Sequence, residues 1–140
     1  DYEHTYFKRY IDVYIFAAII GIRIDRKASR DYSPVETKSI LPDQMINAKE
    51  DLDFIMQMMV MLDPASGATD EDRVREAFRG AQTKEEYDRL MGTFNDYVRG
   101  GVEELYERLV VRKPDSEDRF YDEKTANLMA LYDRFAPKEE

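Results

Sequence analysis

The feature that most constrains this chain is an apolar stripe in its second half. Tyr87, Leu90, Met91, Phe94, Tyr97, Val98, Val102, Leu105, Tyr106, Leu109 and Val110 recur three or four residues apart. That spacing puts them on one face of an α-helix, and a strand cannot hold it, because successive strand side chains point to opposite faces. Thr83-Lys84-Glu85-Glu86 precedes the stripe and has the form of a capping box. The stripe keeps phase through Gly100-Gly101. Either one helix continues through the pair, at about 1 kcal/mol per glycine, or two helices meet there at a kink. A glycine pair within an apolar stripe points to close helix packing at Gly100 and Gly101 ahead of a ligand role.

The rest of the chain fits the same class. Asp43 is expected to cap a helix reaching Leu62, with Met45, Ala48, Leu52, Ile55, Met56, Met59 and Leu62 in phase. Asp63-Pro64-Ala65-Ser66-Gly67 reads as a turn. Thr69 caps a helix whose first turn, Asp70-Glu71-Asp72, complements the macrodipole and which stops at Gly80. Ser33-Pro34-Val35-Glu36 has the form of a helix start, with Pro42 ending that short helix or bending the chain. Near the N-terminus, Tyr6 to Ile22 is helical in spacing and apolar all round in its second half, with Gly21 as the expected stop. A buried strand over Tyr14–Ile24 is the competing reading. After a break at Lys113-Pro114-Asp115, a last helix is expected over Asp122 to Phe135. The expectation is an all-α, compact orthogonal bundle of five to six helices, a single domain over residues 1–136 with a frayed tail at 137–140.

Composition narrows the chemistry. With 140 residues the chain can bury a real core. It has no cysteine, which removes thiolate catalysis and cysteine-ligated metals and fits a reducing, cytoplasmic location. The longest uncharged apolar stretch, Val13 to Ile22, is about half of the roughly 20 residues that a membrane helix needs. The only histidine is His4, and no metalloprotease, EF-hand or phosphate-loop motif occurs. No catalytic residue, metal ligand or cofactor is expected, and the chain reads as no self-sufficient enzyme. Its 30 acidic residues leave a carboxylate-bound Mg²⁺ as the enzymatic alternative. Asp51 and Asp53, two apart, cannot share a helix face.

Two features point toward partners. Met56 and Met59 lie on the stripe of their helix, but Met58 and Met61 lie off it. A helix apolar on several faces is either deeply buried or docked on another chain, and methionine suits adaptable binding surfaces. The second feature is a basic patch, Arg23, Arg26, Lys27 and Arg30, in a chain of net charge −9. It reads as a solvated loop, as a contact for an acidic protein partner, or as a DNA contact. The last is opposed by the overall negative field, since affinity for nucleic acid comes from cations that neutralise phosphates.

Two stretches carry a family resemblance. Asp12-Val13-Tyr14-Ile15-Phe16-Ala17-Ala18-Ile19-Ile20-Gly21, leading into the basic loop, resembles the opening of small proteins associated with bacterial Dnd (DNA phosphorothioation) loci. Tyr97-Val98-Arg99-Gly100-Gly101-Val102-Glu103-Glu104-Leu105 resembles their Tyr-x-x-Gly-Gly-Ile-Glu segment. Together they cover about twenty of the 140 residues. The resemblance implies a small accessory protein, a subunit of a larger complex in a DNA-modification or phage-defence locus. It carries over no catalytic residue.

Overall fold

A computed structural model describes residues 6–33, 39–111 and 123–135. Six α-helices appear: α1 Tyr10–Arg23, α2 Pro42–Asn47, α3 Lys49–Leu62, α4 Asp70–Arg79, α5 Lys84–Tyr106 and α6 Glu123–Phe135. A 3₁₀ turn, Pro64–Ser66, joins α3 to α4, and a π-helical turn, Glu107–Val111, follows α5. No strand occurs among the described residues, so the fold is all-α. The backbone divides into two compact units, Asp1–Val102 and Glu103–Glu140.

In the first unit α3 packs on α1, α2 and α4. Ile11, Ala17, Ala18, Ile20, Ile55, Met59, Val60, Ala77, Phe94 and Tyr97 are buried there. The crossing of α1 with α5 is unusually close. A Cβ on Gly101 would lie 2.6 Å from the Ala17 carbonyl carbon, and one on Gly21 would lie 2.8 Å from that of Tyr97. Gly100 packs in the same way against the backbone carbonyl of Arg26. These are backbone atoms, which cannot rotate away, so only glycine fits at the three positions. The helix therefore runs unbroken through Gly100-Gly101, and the pair serves its crossing with α1.

Gly21 consequently does not stop α1, contrary to the expectation from sequence. The helix continues to Arg23 and closes with Asp25 in the left-handed region at φ 52°. The amides of Asp25 and Arg26 donate to the carbonyls of Ile22, at 3.2 Å, and Gly21, at 2.9 Å. That is a Schellman closure with aspartate in the place glycine usually takes. The Tyr97 hydroxyl donates to Asp25 at 2.8 Å and helps hold the residue there.

Other boundaries follow the caps. Thr69 accepts from the Asp72 amide at 3.1 Å and Thr83 from the Glu86 amide at 3.1 Å. Gly80 ends α4 at φ 66°. Asp63 caps the 3₁₀ turn, accepting from the Ala65 amide at 2.9 Å. Two expectations require correction. Pro42 opens a helix, occupying its first position, where its missing N–H costs nothing. Asp43 lies inside that first turn, with Leu41 at the cap, and the helix expected from Asp43 to Leu62 breaks at Ala48, whose ψ is 4°. The apolar phase survives this one-residue break, which is why spacing alone did not reveal it. Ser33 bonds Asp31 through its amide, at 2.8 Å, and its hydroxyl, at 2.6 Å. His4, Pro34 to Glu36, Lys113 to Asp115, Asp122 and the tail 137–140 lie outside the described residues.

In the second unit the π-turn packs on α6. Fully buried Asn127 donates to the Leu109 carbonyl at 3.0 Å, supplying a partner at the end of the preceding helix. Arg108 pairs with buried Glu104 at 3.0 Å.

Candidate docking groove

An apolar hollow of the first unit lies beside α3. A hollow of about 340 Å³ is lined by Tyr14, Met45, Ile46, Lys49, Leu52, Asp53, Met56, Tyr87, Met91 and Phe94. A second hollow, of about 270 Å³, is lined by Met56, Val60, Ala77, Phe78, Tyr87 and Leu90 among others. Asp53, Met56 and Tyr87 line both, so the two hollows adjoin along α3, and together they are called the groove below. On α3 its wall is Lys49, Leu52, Asp53, Met56, Gln57 and Val60, a three- or four-residue spacing that keeps one helix face toward it. The break at Ala48 sets α2 apart from α3, and α2 contributes Met45 and Ile46 to one end.

Three aromatic or branched side chains stand in solvent along this groove: Ile46 is 71% exposed, Phe78 70% and Tyr87 52%. Its deep end is fixed. Tyr14 packs on Phe94 with ring centroids 5.7 Å apart, and its hydroxyl donates to Asn95 at 2.9 Å. Burial raises the Tyr14 pKa above the ordinary tyrosine value. Among the described residues the one lysine lining the groove, Lys49, is paired with Asp53 one turn on.

The sequence-derived residues distribute unevenly around this site. Met56 is half-buried and lines both hollows, while Met59 is fully buried. Met58 and Met61 are half-buried, and neither lines the groove. The helices α1, α2 and α4 themselves cover several faces of α3. The Met61 carbonyl accepts from Arg73 of α4 at 3.2 Å. Ile46, Phe78 and Tyr87 were missed as candidates because each was assigned to a separate helix, and only the tertiary fold brings them together.

The basic patch is anchored to α5. The amide of Ala28 donates to the Asp96 carbonyl at 3.0 Å, and Arg99 donates to the Ala28 carbonyl at 2.9 Å. Lys27 pairs with buried Asp63 at 3.1 Å and lies 4.8 Å from the Tyr97 ring centroid. Lys27 thus has a structural role. Arg26 is half-buried, Arg30 lies over Tyr32 at 5.2 Å, and Arg23 and Arg30 are exposed.

A further hollow, of about 340 Å³, has a mixed lining that includes Asp63, Glu76, Arg79, Glu86 and Arg89. Three of its charges are engaged with one another. Arg79 pairs with Glu76 at 3.0 Å and with Glu86 at 3.4 Å. Glu86 also accepts from the Gln82 amide, which together with Arg79 holds its pKa below the ordinary glutamate value. Among the described residues no three acidic or histidine side chains converge as metal ligands, and no helix is long and apolar enough to cross a membrane. No family model matches the chain, and no curated protein or solved structure matches it significantly.

Proposed function

We propose that this protein is a non-catalytic, cytoplasmic accessory subunit that works by docking another protein in the groove beside α3. The observation that carries the reading is that Ile46, Phe78 and Tyr87, all more than half exposed, line two adjoining hollows that share Met56. Contiguous exposed apolar surface is costly to a free protein and marks interaction sites. The carboxylates nearest the groove are occupied in pairs with Lys49 and Arg79, which favours a binding role over acid–base chemistry.

A setting in a bacterial DNA-modification or phage-defence complex is part of the same proposal, and it rests on the two resembling stretches. Ala17 and Gly21 of the first meet Gly101 and Tyr97 of the second at the α1–α5 crossing. The shared pattern therefore reflects a packing solution. It supports kinship of fold, and the role in such a locus is inferred from that kinship.

Co-expression with the products of neighbouring genes, followed by size-exclusion chromatography with light scattering, tests the reading. The wild type is expected to co-elute with a partner, and Tyr87→Asp to lose that partner while keeping its helical circular dichroism. A chain that stays monomeric and binds none of those products would refute the proposal. The alternative, DNA contact through exposed Arg23 and Arg30, requires binding that weakens steeply with salt.

A further inference from the structure

We draw no further inference here: the strongest candidate, the pair of adjoining apolar hollows beside α3, belongs to the site already described, and nothing in the structure shows what covers it.

Discussion

Gly92 and Gly101 lie nine positions apart on α5 and make opposite demands. Gly92 is exposed, with nothing within 4 Å of where its Cβ would stand. Gly92→Ala should therefore stabilise the protein by about 1 kcal/mol, the helix-propensity difference. Gly101→Ala would drive a methyl group into the Ala17 backbone, and it should cost at least the upper end of the roughly 1–3 kcal/mol of overpacking. Urea denaturation of the two variants checks this, and the crossing is misassigned if both shift the same way. Tyr97 adds a pH dependence. Burial first, then its bond to Asp25 and the nearby Asp63 and Asp25 charges, raise its pKa well above the ordinary tyrosine value. Between the ordinary value, near 10, and the raised one, the unfolded chain loses a proton that the folded chain keeps. The stability contribution is thus complete below about pH 10 and falls as pH rises above it. Melting of the wild type should decline over that range more steeply than melting of Tyr97→Phe. Parallel curves would show that the hydroxyl is not held as described.

At the scale of elements, the caps account for most of what the sequence disclosed. The two threonine caps and the Gly80 stop need only local geometry, and all three appear at the expected positions. Thr69→Ala should cost about 1 kcal/mol, read as a lower urea midpoint with unchanged slope. No change would mean that the three acidic residues of the first turn stabilise that end without the cap. Features that depend on a distant segment were not legible. Gly21 has a stop signal's identity, but its lack of a side chain is used against Tyr97, some 75 positions away. Asp25 gave no stop signal because its partner is again Tyr97. The groove was hidden for the same reason. Met58 and Met61 drew attention because a helical wheel shows one helix at a time. Ile46, Tyr87 and Phe78 come to line adjoining hollows only when their helices are assembled.

For the molecule as a whole, net charge decides how it should respond to cations. A charge of −9 draws a diffuse cation atmosphere, and screening that self-repulsion stabilises the folded state in any salt. A specific Mg²⁺ site would behave differently, raising stability by RT ln(1 + [Mg²⁺]/Kd) in addition to screening. The described carboxylates favour the diffuse case. Asp12, Asp53, Asp70, Asp72, Glu76, Glu86 and Asp96 each pair with a nearby arginine or lysine, and Asp63 holds Lys27. Binding a metal there would first require breaking those pairs. Mg²⁺ and Na⁺ at matched ionic strength should therefore raise the melting temperature by similar amounts, without saturation. A Mg²⁺-specific rise that saturates in the micromolar range would reveal a carboxylate site and reopen the enzymatic alternative. A matched response would argue against a tight carboxylate site, since a ligand specific for the folded state must raise stability.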